Sequence, residues 1–463
     1  MADRPYLYFE LTNSVCSICL RKLEAKVIFQ NENVYLQKRC PEHGFQKVLI
    51  STDQAYYQRA RLALKPGQMP VHFNTPVKYG CPYDCGLCPD HEQHSCLSLV
   101  EITDACNLSC PICYAESGPH RVTHRSFEQV EFMLDCVVRN EREPDVVQIS
   151  GGEPTIHPDF FRILDAAKQR PIKHLMVNTN GIRIAQEPEF ARRLQDYMPG
   201  FEVYLQFDSL EEQPLRNLRG ADLRKIRQGA LEQLNKYNIS TTLVVTVKKG
   251  LNDQELGNIV RFALKQPCVR GVTFQPIQQA GRFNGFDPEH DRLTLSEVRQ
   301  SLLDQQELFA PEDIIPVPCH PDCLAMGYAL KRGAQTVPLT RLIDPQVLLQ
   351  GEGNTIVYEH DPNLKRQVFQ LFSTSHSPES ASTSLKQLLC CLPLVQVPAE
   401  ITYQNVFRVL IIQFMDAYNL DIRSVKKSCI HIVHPDGRLI PFDTYNLFYR
   451  EEKEQRLKEL VAQ

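Results

Sequence analysis

The sequence has no surplus of either charge. Lys and Arg number 51 against 55 Asp and Glu, a net charge of -4, which excludes a global basic field for holding nucleic acid or an anionic membrane and leaves open only a local basic patch. Long hydrophobic runs are also missing: the longest, such as Val409 to Ile412, fall far short of the ~20 residues that cross a bilayer. The opening MADRPYLYFELTN lacks a basic stretch followed by an apolar one, so it does not read as a secretory signal, and a cytoplasmic location is expected. No repeat of fixed period is found.

What is present is ordinary apart from one residue type. At ~150 residues per domain, 463 residues suggest about three domains. Hydrophobic residues at 43% and charged residues at 23% are those of a soluble globular chain. The exception is cysteine, with 17 copies. In a reducing compartment, cysteines in tight clusters argue for metal or cluster ligation over disulfides. They fall into groups: Cys16, Cys19 and Cys40; Cys81, Cys85, Cys88 and Cys96; Cys106, Cys110 and Cys113; then Cys319, Cys323, Cys390, Cys391 and Cys429. Cys136 and Cys268 stand apart. Cys136 belongs to SFEQVEFMLDCVV, where Ser126 and Gln129 predict a capping box and Phe127, Val130, Leu134 and Val137 an apolar helical stripe, so it reads as core packing.

From residue 97 onward apolar strands alternate with amphipathic helices. LSLVEIT, VVQIS, HLMVNTN, VYLQFDS, TTLVVTV and GVTFQPI are six strand signals with helices between them. This predicts parallel βα units in an α/β fold, an open doubly wound sheet or part of a barrel, with ligands at the C-terminal strand ends. The expected domains are a Cys-rich metal-binding module over 1–75, an auxiliary segment over 76–96, a core over 97–300 and a mixed α+β region over 301–463. The Ser-rich stretch near 373–384 reads as a surface loop, and REEKEQRLKELVAQ as a solvated terminal helix.

Cys106, Cys110 and Cys113 follow directly on LSLVEIT, so three thiolates converge where such a scaffold places chemistry. Three thiolates can hold three irons of a [4Fe-4S] cluster and leave the fourth open to a ligand; a zinc knuckle lacks an obvious fourth ligand here. CNLSCPIC is similar to the CxxxCxxC motif of the radical S-adenosylmethionine (radical SAM) superfamily, and Gly151-Gly152-Glu153-Pro154, one βα unit later, resembles its GGE motif. The resemblance implies a partial (β/α)6 TIM-like barrel and reductive cleavage of S-adenosylmethionine to methionine and a 5′-deoxyadenosyl radical. It also implies cofactor contacts at Gly151, Gly152, Glu153, Asn178, Asn180, Gln206 and Asp208.

Cys81, Cys85 and Cys88 repeat the spacing, and Cys96 supplies a fourth ligand, which predicts a closed auxiliary cluster, with structural zinc as the alternative. Cys16, Cys19, Cys40 and His43 form a Cys₃His set suited to zinc or mononuclear iron. Cys319, Cys323, Cys429 and one of Cys390 and Cys391 assemble a further cluster if the tail folds back.

Taken together, two CxxxCxxC motifs, the N-terminal module and the tail KKSCIHIVHPDGRLIPFDTYNLFYR resemble the branch holding class D radical methyltransferases and archaeal tetraether-lipid synthases. In the tetraether branch the N-terminal site has four cysteines; His43 departs from that and favours zinc. Asp436-Gly437 predicts a hairpin turn, and Pro441, Phe442, Asp443, Tyr445 and Asn446 are candidates for the substrate side. The resemblance implies carbon–carbon bond formation at an unactivated carbon, as methyl or alkyl transfer or as lipid-chain coupling. It implies a small-molecule or lipid substrate, a low-potential flavodoxin or ferredoxin as reductant and no nucleic acid; peripheral membrane contact is compatible with it. The rival reading is a non-catalytic zinc or iron–sulfur electron-transfer protein.

Overall fold

The computed structural model describes residues 4–462 apart from 65, 284, 333–334 and 343–404. Cys390, Cys391 and the Ser-rich stretch lie outside the described residues. The chain opens with an antiparallel meander of β1 (Leu7–Val15), β2 (Lys22–Gln30), β3 (Asn33–Cys40) and β4 (Gly44–Ser51). One face buries Ala25, Val27, Phe29, Val34 and Leu36 against Tyr57 of α1 (Gln54–Leu62). Asp53 caps that helix by accepting from the Tyr56 N–H at 2.7 Å.

Six parallel strands follow: β5 (Leu97–Thr103), β6 (Val146–Gly151), β7 (His174–Thr179), β8 (Phe201–Gln206), β9 (Thr241–Val247) and β10 (Val269–Pro276), each hydrogen-bonded to the next. Between them run α2 (Phe127–Glu141), α3 (Phe160–Lys168), α4 (Ile182–Gln186), α5 (Pro188–Gln195), α6 (Glu212–Arg219), α7 (Arg224–Lys236) and α8 (Leu256–Leu264), with α9 (Leu295–Gln305) after β10. Ser126 caps α2 as expected, accepting from the Gln129 N–H at 3.2 Å. The return half of the capping box is not made. Gln129 Nε2 instead donates to the Pro435 carbonyl at 2.9 Å, a tertiary bond that outcompetes the local one.

The C-terminal region adds β11 (Ile315–Pro316), β12 (Leu324–Arg332), β13 (Gln335–Pro338), β14 (Val406–Ile412), β15 (Ile430–Val433) and β16 (Leu439–Pro441) to the same sheet. β14 runs parallel beside β10, and β15 parallel beside β5. Both edges of the six-stranded core are therefore flanked by strands from the tail. The expected hairpin joins β15 to β16 with Gly437 at a φ of +92°.

Side-chain alternation separates two faces. On β8, Phe201, Val203 and Leu205 pack toward the helices, while Tyr204 and Gln206 turn to the concave side. Curvature is recorded by one ion pair. Arg408 of β14 bonds both Glu202 oxygens at 2.9 Å, although three strand spacings in a flat sheet would hold them about 14 Å apart. His174 Nε2 adds a contact to Glu202 at 3.0 Å, and the Thr242 hydroxyl donates to it. This network occupies the concave side near the N-terminal ends of β7, β8 and β9.

Burial alone would raise the Glu202 carboxyl, but Arg408 and His174 hold it well below the carboxylate range. Arg408→Met strands a buried charge, and should destabilise the protein by about 3–5 kcal/mol at neutral pH. A depressed carboxyl contributes stability above its unfolded value of about 4.3 and loses it as pH falls. The deficit should therefore narrow in acid, which denaturant melts at two pH values would read.

Candidate active site

The cysteine loop begins where β5 ends, and glycines bring it against the next strand end. The N–H of Gly152 donates to the Thr103 carbonyl at 2.7 Å and that of Glu153 to the Ala105 carbonyl at 2.9 Å. A Cβ on Gly151 would stand 2.3 Å from the Thr103 oxygen, and one on Gly152 2.1 Å from that of Ala105. The glycines are thus required first for strand ends to meet, before any ligand is considered. Arg282 fastens the loop from the other side. Its backbone exchanges two hydrogen bonds with Cys113, at 2.9 and 3.0 Å, while its guanidinium donates to the carbonyls of Cys110 at 2.7 Å and Ser117 at 2.8 Å.

Cys110 is buried, with Cys106 and Cys113 half-buried. Burial pushes the Cys106 thiol up to about 12, with Glu153 adding to it, and also raises Cys110 despite Arg219 nearby. Metal loading here must displace protons, so it is favoured by higher pH.

A single cavity takes in this loop and the concave ends of the strands. Gly151, Gly152, Glu153, Asn178, Asn180 and Gln206 line it. Asp208 does not: it is fully buried behind the wall, its carboxylate taken by Arg219 at 2.6 and 2.7 Å. Arg219 and Arg227 face the cavity in its place. Glu153 accepts from the Thr155 and Thr179 hydroxyls and from the Asn180 N–H at 2.5 to 2.7 Å. Asn180 Nδ2 donates to Asn107 of the cysteine loop at 2.6 Å, and Gln206 Nε2 to Asn178 at 2.7 Å. The far wall is apolar, with Leu97, Leu99, Ile412, Phe414, Ile430 and Phe442. Of the tail candidates, Phe442 reaches this wall, whereas Pro441, Asp443, Tyr445 and Asn446 do not line it.

Apart from Cys136 and Cys268, the other described cysteines fall into three groups. Cys16, Cys19, Cys40 and His43 place their ligand atoms within 4.8 Å of one another. Cys19 and Cys40 sulfurs are 3.8 Å apart, and His43 Nδ1 lies 3.6 Å from Cys16 and 3.5 Å from Cys40. A tetrahedron with Zn–S near 2.3 Å and Zn–N near 2.05 Å has edges of about 3.8 and 3.6 Å. These residues fit a single zinc ion. Bonds from the Gln46 amide at 3.2 Å and the Ile18 N–H favour the Cys16 thiolate, and despite burial its pKa falls to about 6.

Cys81, Cys85 and Cys88 stay together, and Cys85 accepts from the Thr444 hydroxyl at 3.1 Å. Cys96 does not join them, which corrects the grouping read from spacing. It lies within 4.8 Å of Cys319 and Cys429, themselves 3.5 Å apart. The cause is strand register. Ile430 pairs with Leu97 across β15 and β5, so the residues preceding them, Cys429 and Cys96, are brought side by side. Cys323 is buried near this group, 3.9 Å from the Ser424 hydroxyl and within electrostatic reach of Cys429.

The model of the Radical SAM superfamily matches residues 100–263, and that of the HMPTM N-terminal zinc ribbon domain matches residues 8–52. The 7,8-dihydro-6-hydroxymethylpterin dimethyltransferase of Methanocaldococcus jannaschii is 30% identical to this chain, over 96% of this chain and 95% of its own. The chain belongs to the radical SAM superfamily, in the family of that methyltransferase. A GTP 3',8-cyclase of Syntrophomonas wolfei is 27% identical over 40% of this chain and 57% of its own. Among solved structures, Streptococcus suis SuiB bound to S-adenosylmethionine matches with a TM-score of 0.37 and 17% identity, over 45% of this chain and 46% of that one.

As a radical SAM enzyme the protein uses a [4Fe-4S] cluster and S-adenosylmethionine, and its N-terminal meander is a zinc ribbon. Sequence reading missed Arg219, Arg227 and Arg282. Arg219 ends a helix at a left-handed Gly220, which marks a boundary but not a ligand. Arg227 sits at the end of the first turn of α7 on a buried face, and Arg282 in a loop; neither has a spacing signal.

Proposed function

We propose that this enzyme transfers a methyl group to carbon on a compact, dihydropterin-like heterocycle. Cys106, Cys110 and Cys113 would hold the SAM-binding cluster. When bound there, the cluster would supply the reducing electron for cleavage of S-adenosylmethionine to methionine and a 5′-deoxyadenosyl radical, and the protein's part would be orientation and exclusion of water. Cys81, Cys85 and Cys88 would hold one auxiliary cluster, and Cys96, Cys319, Cys323 and Cys429 another. A low-potential flavodoxin or ferredoxin would be the reductant, and the cytoplasm the site of action.

The observation that carries the choice of a compact substrate over a lipid chain is the shape of the interior. The cavity descends past Gln206 to Tyr204, and the next inward position on that strand is Glu202, in the ion-paired network with Arg408 and His174. A lipid tail running inward would meet buried charge there. Cavity-lining carboxamides, Asn178 and Gln275 near the strand ends and Gln148 deeper, suit the lactam edge of a heterocycle. The near full-length likeness to the pterin dimethyltransferase supports the same reading.

Anaerobic incubation with S-adenosylmethionine, a reductant and 7,8-dihydro-6-hydroxymethylpterin should give products heavier by one or two methyl groups. Deoxyadenosine without a methylated pterin would count against this substrate. A second expectation concerns Arg227, whose Nε and Nη2 are buried without a hydrogen-bond partner among the described residues, Nη2 lying 3.8 Å from the Asp208 carboxylate. We assign it to the carboxylate of S-adenosylmethionine. Arg227→Met should weaken binding of that cosubstrate roughly 10- to 100-fold, the worth of a hydrogen bond to a charged group, as read by equilibrium dialysis; unchanged affinity would remove the assignment.

A further inference from the structure

Residues 413–421 leave the end of β14 and begin the crossing toward β15. Within this strap, Phe414 lines the cavity and stacks on Phe442 with ring centroids 3.9 Å apart. Asp416 is its anchor on the barrel side. The buried carboxylate takes Arg292 at 2.6 and 2.7 Å and accepts from the Gln279 N–H at 2.9 Å. Gln279 belongs to the same loop as Ile277 and Ala280, which line the cavity, and as Arg282, which grips the cysteine loop. Gly281 makes that grip close: a Cβ there would stand 2.4 Å from the carbonyl oxygens of Cys113 and Tyr114.

The strap's other side is held by the zinc ribbon. Lys38 of β3, 4% exposed, donates to the carbonyls of Ala417 and Tyr418 at 2.8 Å each and to the Ser14 hydroxyl at 3.2 Å. Two residues beyond Ser14 and Lys38 stand the metal-site residues Cys16 and Cys40. A second bond runs from the Thr12 hydroxyl to Asp421 at 2.6 Å. A buried ammonium is costly to place, and here its donors are met by carbonyls of a segment that has no helix or strand of its own.

We propose that Lys38 is a positioning residue through which the zinc ribbon holds the 413–421 strap as a wall of the cavity. Hydrogen bonds then run without a gap from the ribbon through Lys38, the strap and Asp416 to the loop that carries Arg282. The ribbon is on this reading part of the active-site architecture, and its metal sets the position of a wall it does not touch.

The test uses the full chain with its metals loaded. Lys38→Met should keep zinc and iron contents at wild-type levels, raise amide hydrogen exchange in residues 413–421 by tenfold or more, and leave exchange at 174–180 unchanged. Lys38→Arg, which retains a donor, should restore most of the protection. Affinity for 7,8-dihydro-6-hydroxymethylpterin should fall several-fold in the methionine variant only. That last arm rests on the proposed substrate. If wild-type protein does not bind the pterin, the substrate reading fails while exchange still decides the strap. Should Lys38→Met not fold, removing the ribbon zinc from wild-type protein with a chelator, under conditions that leave the iron–sulfur absorption intact, should loosen the same segment. Strap protection unchanged in the variant, or in the zinc-free protein when that is the test, overturns the proposal, as does loosening spread equally over 174–180.

Discussion

Replacing Cys106, Cys110 and Cys113 together with alanine should bring deoxyadenosine formation below detection, a loss of at least ~10³-fold, equivalent to roughly 4 kcal/mol on the activation barrier at ~1.4 kcal/mol per tenfold. The protein should stay folded. The loop is held by its backbone, through Cys106 to Gly118, Cys113 to Arg282 and the Arg282 guanidinium on Cys110 and Ser117, so alanine retains the contacts that shape it. Iron should drop by about four per chain while ribbon zinc remains. The informative failure is specific. Cys81, Cys85 and Cys88 have the same spacing, and cleavage that survives in the triple variant would move the SAM-binding role to them. The placement argues otherwise: the Cys106 loop opens into the cavity beside Gly151 and Gly152, whereas Cys81, Cys85 and Cys88 are not among its lining residues.

Local signals in this sequence were readable, and long-range ones were not. The six core strands carry period-two faces or unbroken apolar runs, so their parallel pairing follows from alternation with helices, whereas their sequential order does not, since the same alternation also suits a doubly wound sheet. CNLSCPIC and GGEP are contiguous and reveal their chemistry without knowledge of packing. The fate of Cys96 is different. Only seven residues separate it from Cys88, yet β15 arrives from more than three hundred residues away and places Cys429 beside it. No periodicity announces that pairing, because β15 is four residues long and, while β16 is its hairpin partner, its other neighbour β5 lies far away in the chain. Asp208 shows a related blindness. Its place after a strand end suggested a ligand contact, but a φ of +66° and the bidentate Arg219 turn the carboxylate into the wall. A residue's position along a strand was legible; the partner that consumes its charge was not.

The regrouped cysteines sharpen an expectation about electron flow. Forming a carbon–carbon bond at an unactivated carbon leaves an electron to be taken up or supplied after the bond is made, and a nearby cluster can do either. Neither auxiliary group lines the cavity, but each is one or two residues from a side chain that does. Cys96 and Cys429 directly precede Leu97 and Ile430, which line it, and Cys85 is bonded to Thr444, two residues from the lining Phe442. Replacing Cys96 and Cys429 with alanine should therefore preserve reductive cleavage of S-adenosylmethionine while methylated product falls by ~10²-fold or more, equivalent to roughly 3 kcal/mol on the barrier of the product-forming steps. Deoxyadenosine would accumulate uncoupled from product. Iron should again fall by about four per chain, which separates loss of a cluster from loss of fold, and the Cys106 cluster should keep its response to S-adenosylmethionine in electron paramagnetic resonance. Each alanine also removes a buried thiol next to a cavity wall, so packing alone could slow the reaction. The pair Cys96→Ser and Cys429→Ser retains volume but ligates iron weakly, and it should behave like the alanine pair. If the serine pair loses the cluster and still completes product at normal yield, this centre has no redox role and the electron must pass through Cys81, Cys85 and Cys88 alone.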